Sequence, residues 1–371
     1  MAFNNKICLI YNFAQHYRYG IFKLLNDDLN VDFYFGDKMD DVKKIDYNLL
    51  SNFQYELTNI RIFKKFYWQS GAVKVFFKKY NHYIILGDYY ALSTWVILLL
   101  SAISNKRIYL WTHGWYGKEN FFFRLIKKIF YRLGNSNIFL YGNYAKNLMV
   151  KEGFNPKFLH VIYNSLDYNK QLQIRSEIKI GKLYENIFCN NFPTLIFIGR
   201  LTKVKKLNLV LDAIKLLNEK KVEVNFLLIG EGEERFFLEE KVHQFNLDGK
   251  VKFTGAIYDE KLIAGYISHA DVCVSPGNVG LTAMHSLVFG TPVISNDNFP
   301  YQMPEFEAIE EGLTGSFFKD GDILDLANKL NLWIEREDRE VVRQNCYKRI
   351  DSFFNPNYQF KIIKNVIKAN S

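Results

Sequence analysis

The chain has 371 residues, enough for two or three domains, with 49% hydrophobic and 23% charged residues and 7 prolines. That composition excludes a disordered chain, a collagen-like fibre and a small disulfide scaffold, and it describes a globular protein. The net charge of +9 is uneven: residues 1–175 carry 24 Lys and Arg against 12 Asp and Glu (+12), and residues 176–371 carry 24 against 27 (−3).

In chain order, the opening run KICLIYNF reads as a buried strand, followed by a helix near Tyr19–Leu29 and a strand in VDFYFGD. YIILGD, a helix near Leu92–Ile103, RIYLW, an amphipathic basic helix within Lys118–Arg132 and NIFLYG continue the alternation. A polar stretch near 168–191 reads as a joint, after which strand and helix resume. TLIFIGR, a helix near Leu207–Leu217, VNFLLIGEG, VKFTGAI, VCVSPG and PVISND are the strands and helix named there, with further helices between them. Repeated strand-then-helix units predict α/β architecture with parallel sheets covered by helices. Two Rossmann-like domains are expected, 1–175 and 176–354, with a terminal helix in 355–371 returning to the first.

The four cysteines, Cys8, Cys189, Cys273 and Cys346, form no CxxC pair, which argues for a reducing compartment and against a zinc cluster. MAFNNKICLIYNF has no cleavable-leader pattern, and the most apolar stretch, 91–103, is shorter than the roughly 20 residues of a membrane-spanning helix. A cytoplasmic protein is therefore expected. The basic first half suits an anionic partner, and two segments concentrate the effect: 63–80 (FKKFYWQSGAVKVFFKKY) and 118–132 (KENFFFRLIKKIFYR). In the second, Phe121, Phe122, Leu125 and Ile129 recur at helical spacing, while Arg124, Lys127, Lys128 and Arg132 supply cations near the polar flank. This is the pattern of a helix lying on an anionic membrane, and equally of a surface helix packing its stripe on a core. No nucleic-acid-binding motif accompanies the charge.

Ligands of open parallel sheets bind outside the carboxyl ends of the strands. The loops 13–18, 87–89, 113–117, 200–206, 230–233 and 276–281 are thus the candidate site, and they come from both domains. In LIFIGRLTKVKK, Arg200 and Lys205 follow a glycine at a strand end, a pairing of planar fork and mobile point charge that suits a diphosphate. GNVGLTAMHSLVFG enters a helix from a glycine-containing loop, whose unpaired amides suit a phosphate, with His285 a turn into the helix. Tyr17 and Arg18 after the first strand, and Asp88, are candidate contacts for a second substrate.

The ordered run IGRLTKVKKLNLVLDA, FLLIGEGEE, VKFTGAI, ADVCVSPGNVGLTAMHSLVFGTPVI and EEGLTG, over residues 193–330, resembles the carboxyl-terminal domain of retaining GT-B glycosyltransferases of family 4. The resemblance implies a nucleotide-diphosphate sugar (UDP- or GDP-linked) held mainly by the second domain, with no cofactor and no obligatory metal. It implies an acceptor, a saccharide or a polyprenyl-diphosphate-linked one, held mainly by the first. Residue by residue, Gly199, Arg200 and Lys205 match the donor-diphosphate loop, Gly230 and Glu231 the turn beside the nucleotide, and Asn278, Val279, Gly280, Leu281 and Thr282 the loop whose amides meet sugar and phosphate. His113 matches a histidine close to the reacting sugar. Where the family places two glutamates, this chain has Gly277 and His285. The reading that follows is a transferase of capsule or O-antigen assembly, with peripheral membrane contact through the first domain and no nucleic acid partner. An epimerase or hydrolase of the same fold and a non-catalytic basic binding protein remain alternatives.

Overall fold

The computed structural model describes residues 6–38 and 42–370. Residues 1–5, on which part of the leader argument rests, lie outside the described residues. The chain divides into two compact units, 1–168 with 355–371, and 169–354.

The first unit holds an eight-stranded sheet. Its strands are β1 (Ile7–Tyr11), β2 (Asp32–Gly36), β3 (Phe53–Phe63), β4 (Phe66–Ser70), β5 (His82–Leu86), β6 (Arg107–Thr112), β7 (Asn137–Leu140) and β8 (Leu159–Val161). They lie in the order β4-β3-β2-β1-β5-β6-β7-β8. Seven run parallel, and β4 turns back antiparallel on β3 at the edge. Every residue of β1 is buried, as a strand covered on both faces requires. Alternation then divides them: Ile7, Leu9 and Tyr11 enter one core with Phe22, Phe33, Trp111 and Tyr141, while Cys8 and Ile10 enter the other with Tyr83, Leu110 and Phe130. The Pro356–Ala369 helix supplies Ile363, Val366 and Ile367 to the first of these cores. Its buried Gln359 accepts a hydrogen bond from Ser165 (2.6 Å) and donates to the Tyr163 carbonyl (2.7 Å).

The second unit is a six-stranded parallel sheet of β9 (Thr194–Ile198), β10 (Asn225–Ile229), β11 (Val251–Gly255), β12 (Val272–Ser275), β13 (Val293–Asn296) and β14 (Gly315–Phe318), ordered β11-β10-β9-β12-β13-β14. The order reverses between β9 and β12, so the loops after those two strands flank the switch point where such sheets bind ligands.

The structure differs from the sequence reading in two places. The boundary falls at 168/169, not 175/176, because the Tyr168–Glu177 helix sends Gln171 to Glu260 (3.2 Å) and Arg175 to Asp351 (2.9 Å) of the second unit. The expected joint near 168–191 also contains the Leu183–Phe188 helix, whose Tyr184 and Phe188 are buried. The basic segment 63–80 comprises the β3–β4 hairpin end and the Ala72–Phe76 helix.

Candidate functional site

In the second unit, the loops after β9, β10 and β12 meet backbone to backbone. A Cβ on Gly230 would sit 1.9 Å from the Gly199 carbonyl oxygen, so only glycine fits there, at φ +149°. The Leu201 amide donates to the Glu231 carbonyl (2.9 Å) and the Glu234 amide to the Leu201 carbonyl (3.0 Å), which ties the Arg200 loop to the Glu231 turn. The Glu231 side chain pairs with Arg235.

The loop after β12 closes on the Arg200 loop from the other side. The Asn278 amide donates to the Val204 carbonyl (3.3 Å), and Lys205 Nζ donates to the Asn278 carbonyl. Burial and the neighbouring Arg200 lower the Lys205 ammonium from its ordinary range, so these two cations sense each other across the loop. Arg200 is exposed. Thr282 Oγ1 donates to the Ile198 carbonyl at 3.1 Å, which fixes the start of the Thr282–Val288 helix against the end of β9. The structure thus brings together Gly199, Arg200, Lys205, Gly230, Glu231, Asn278, Val279, Gly280, Leu281 and Thr282.

Not all of that loop is available to a ligand. The Val279 amide donates to Gln302 Oε1 (2.8 Å), the Asn278 amide is the one held by Val204, and Asn278 Nδ2 donates to the Tyr301 carbonyl (3.1 Å). The expectation that the amides from 278 to 282 serve a ligand therefore narrows to Gly280, Leu281 and Thr282, whose backbone N–H groups make no protein hydrogen bond among the described residues. Gln302 was invisible in the sequence: it follows β13 and marks no motif, yet its amide also reaches the Gly277 carbonyl (3.0 Å) and braces the loop.

Positions 277 and 285 have physical explanations. A Cβ on Gly277 would lie 1.9 Å from the Val204 carbonyl oxygen and 2.7 Å from Lys205 Cα, so the turn carrying Lys205 fills the space a side chain would take. His285 does not point a free acceptor outward: its Nε2 lies 3.0 Å from Glu260 Oε1. Burial pushes the Glu260 carboxyl up, but the hydrogen bonds from His285 and Gln171 outweigh it and hold it at about 2. A carboxylate does stand beside position 285, contributed by the first residue of the Glu260–His269 helix. In sequence, Asp259-Glu260 reads only as a cap and a first-turn charge.

In the first unit, a single 3-10 turn after β1, His16–Arg18, brings Tyr17 and Arg18 beside the loop after β6. Arg18 is 5% exposed, with its guanidinium carbon 5.2–5.8 Å from the ring centroids of Tyr11, Tyr17, Trp111 and Tyr141. His113 packs on Tyr141 with ring centroids 4.8 Å apart. Burial, with Arg18 and Lys127 nearby, pushes its imidazole down to about 3. It is therefore neutral at physiological pH, an acceptor or single donor. Asp88 accepts the Tyr90 amide at 3.0 Å, and burial raises its carboxyl. It caps its own loop, hydrogen-bonds Tyr67, and its charge reaches Tyr11 of Arg18's ring cage.

The loop bearing His113 is clamped by a pair that sequence reading placed elsewhere. Lys127, assigned to the polar flank of its helix, is 3% exposed, pairs with Glu119 at 2.6 Å and donates to the Gly114 carbonyl at 3.1 Å. Glu119 also accepts the Tyr116 and Gly117 amides, both at 2.8 Å. The helix itself runs Phe121–Arg132, with Asn120 as its cap. Its apolar stripe faces outward: Phe121 is 84% exposed, and Phe122, Leu125 and Ile129 are exposed with it. Arg124 and Lys128 are engaged by Glu152 (2.7 and 2.9 Å). No helix among the described residues is long and apolar enough to cross a membrane. Among them, too, no group of three or more His, Cys, Asp or Glu is placed to hold a metal ion.

Two parallel-sheet Rossmann-like units of these strand orders, with phosphate-type loops at the switch point of the second, define a GT-B fold. Residues 185–349, within the second unit, match the family model of glycosyl transferases group 1. The chain is 28% identical over 217 residues to an uncharacterized 41.2 kDa protein in the cps region of Klebsiella pneumoniae, a match covering 56% of each chain. The chain thus spans about half the length of that curated relative. Its fold is similar to that of HepE from Anabaena, solved in complex with UDP (TM-score 0.71, 16% identity, 98% of this chain and 100% of that one). It is also similar to that of the lipopolysaccharide outer core galactosyltransferase WaaB (TM-score 0.72, 14% identity, 99% and 100%).

Proposed function

We propose that the protein is a retaining glycosyltransferase that moves a sugar from a UDP- or GDP-sugar to a saccharide or polyprenyl-diphosphate-linked acceptor in surface polysaccharide assembly. The observation that carries the reading is the convergence of Arg200, Lys205 and the open amides of Gly280, Leu281 and Thr282 around one switch point, inside the segment that matches the family model. Two cations and three donors suit a diphosphate. They stabilise the charge that develops as nucleoside diphosphate departs, and a preorganised set does so without reorganising. The departing phosphate takes the proton of the incoming hydroxyl, so no protein carboxylate is needed as base, and the scheme includes no metal. Neutral His113 orients the sugar or the hydroxyl. The UDP held by HepE and the cps region that encodes the Klebsiella relative support the donor and the pathway class. The outward stripe of the Phe121–Arg132 helix supports contact with a membrane bearing the acceptor.

The deciding experiment is thermal unfolding of the full chain against a panel of UDP- and GDP-sugars and free nucleotides. A ligand at 100 times its Kd stabilises by about 2.7 kcal/mol, a readable shift. One nucleotide series should raise Tm, and Arg200→Ala should abolish the rise. Folded protein that responds to no nucleotide would overturn the proposal.

A further inference from the structure

Around Arg18, hydrogen-bond donors outnumber acceptors. Guanidinium Nε and Nη1 are buried without a hydrogen-bond partner, and so are Trp111 Nε1 and His113 Nδ1. Arginine keeps its proton under all ordinary conditions, so the cluster holds a permanent buried cation. Among the described residues no Asp or Glu forms an ion pair with it. The groups lining it are rings: Tyr11, Tyr17, Trp111 and Tyr141. The Tyr141 hydroxyl lies 3.1 Å from that of Tyr11 and also hydrogen-bonds the guanidinium, which leaves Nε and Nη1 as its unmet donors. Ring faces offset part of the cost of burying a guanidinium, on the order of 1–2 kcal/mol each when desolvated, but they leave Nε and Nη1 unmet. An unsatisfied buried donor costs roughly 1–3 kcal/mol, more for a charged one. A fold that keeps this many has a use for them.

The position adds to the chemistry. Arg18 follows β1, Trp111 is the penultimate residue of β6 and His113 follows that strand, all at the carboxyl end of the sheet. Tyr17 and His113 are the members of the group that reach solvent, whereas Tyr11, Trp111 and Tyr141 are sealed. Lys127, held against Gly114 of the same loop, adds a second cation whose own carboxylate is already shared with two amides.

We infer that Arg18, with Trp111 and His113, is an oxyanion site of the first unit, and that its ligand is a phosphate group of the acceptor. The guanidinium fork matches phosphate oxygens in a bidentate manner, which a lysine at the same place would not do. The site rests on the first unit alone; its assignment to the acceptor rests on the transferase reading, in which the donor diphosphate occupies the second unit. An acceptor with a diphosphate or phosphodiester link would then be bound far better than the same saccharide without it.

The test uses the full chain saturated with whichever nucleotide stabilises it, titrated with inorganic pyrophosphate by calorimetry. In parallel, 15N spectra follow the Arg18 Nε–H and Trp111 indole signals. Pyrophosphate should bind the nucleotide-saturated protein and move both signals. Arg18→Gln should weaken it at least tenfold, and Arg18→Lys by less. Wild-type signals that stay still at saturating pyrophosphate would overturn the site, even if the Arg18 variants failed to fold. So would binding that disappears once nucleotide is bound, or that survives Arg18→Gln in folded protein. If no nucleotide binds but pyrophosphate still moves Arg18, the transferase reading fails and the oxyanion site stands. Replacing pyrophosphate by a short-chain prenyl diphosphate tests the source: tighter binding supports the lipid-linked acceptor, and weaker binding than pyrophosphate rejects it.

Discussion

Gly277 shows how one residue can record its neighbour's position. The resemblance to family 4 expects a glutamate there, but the Val204–Lys205 turn approaches so closely that a Cβ would be 1.9 Å from a carbonyl oxygen. Gly277→Glu should therefore not restore a missing group; it should force apart the two loops that Lys205 and Asn278 join, with a loss of about 1–3 kcal/mol in denaturant unfolding and loss of nucleotide-induced stabilisation. A variant at least as stable as the parent, with tighter nucleotide binding, would contradict this. His113 gives a second residue-scale prediction. Its folded pKa is about 3, and those of His82 and His160 are about 4, all lowered chiefly by burial. The unfolded chain, with histidines near 6.5, binds more protons between those values, so stability falls as pH drops from about 6.5 toward 4. Unfolding by urea across that range should show the decline, and His113→Gln should flatten it by that residue's share. Of the candidate site, the sequence pointed to the loops because strand ends are legible. It missed Glu260, Gln302 and Glu119 because their roles depend on partners 25, 23 and 8 residues away, on other segments of the chain.

At the scale of an element, the Phe121–Arg132 helix separates what periodicity reports from what it does not. The 3.6-residue repeat identified the helix and its apolar stripe, but not which side meets the core. Phe130, Tyr131 and Lys127 turn inward, and the stripe of Phe121, Phe122, Leu125 and Ile129 turns out. The reason is Glu119, which lies before the cap and draws Lys127 inward to close the loop of His113. Removing one partner of such a buried pair leaves an uncompensated charge, so Lys127→Met with Glu119 intact should cost about 3–5 kcal/mol, measured by equilibrium unfolding. Adding Glu119→Gln should recover part of that loss. The outward stripe predicts the opposite profile. Phe121→Ser with Phe122→Ser should change stability by less than about 0.5 kcal/mol, as surface substitutions do, yet reduce cosedimentation with vesicles of anionic phospholipid severalfold. Because Glu152 engages Arg124 and Lys128, that binding should depend on the aromatic rings more than on salt. Binding abolished by moderate salt but indifferent to the two phenylalanines would place membrane affinity elsewhere.

At the scale of the whole molecule, the alternation was legible for β1, β2, β5 to β7 and β9 to β13, because parallel strands buried on both faces read as short apolar runs. The β3–β4 hairpin was not, since its solvent-facing side chains break the run: most of β3 beyond Leu57 is exposed. The return of the chain was legible too, and it has a consequence for folding. The first unit is discontinuous, completed only by residues 355–371. Ile363, Val366 and Ile367 bury their side chains in the core that also holds Tyr11, Phe22 and Trp111. At roughly 1.5–3 kcal/mol per buried aliphatic side chain, the three contribute on the order of 5–9 kcal/mol, comparable with the net stability of a domain. Gln359 adds two hydrogen bonds whose partners, Ser165 and the Tyr163 carbonyl, are buried and would be left unmet. A chain ending at residue 354 should therefore lose protection in one unit alone. Hydrogen exchange should find the amides of β1 and β2 exchanging at rates near those of the unfolded chain, while β9, β10 and β12 keep the protection they have in the full protein. Equal loss in both sheets would mean that the two units unfold as one. Unchanged protection in β1 would mean that the terminal helix covers a core already stable without it.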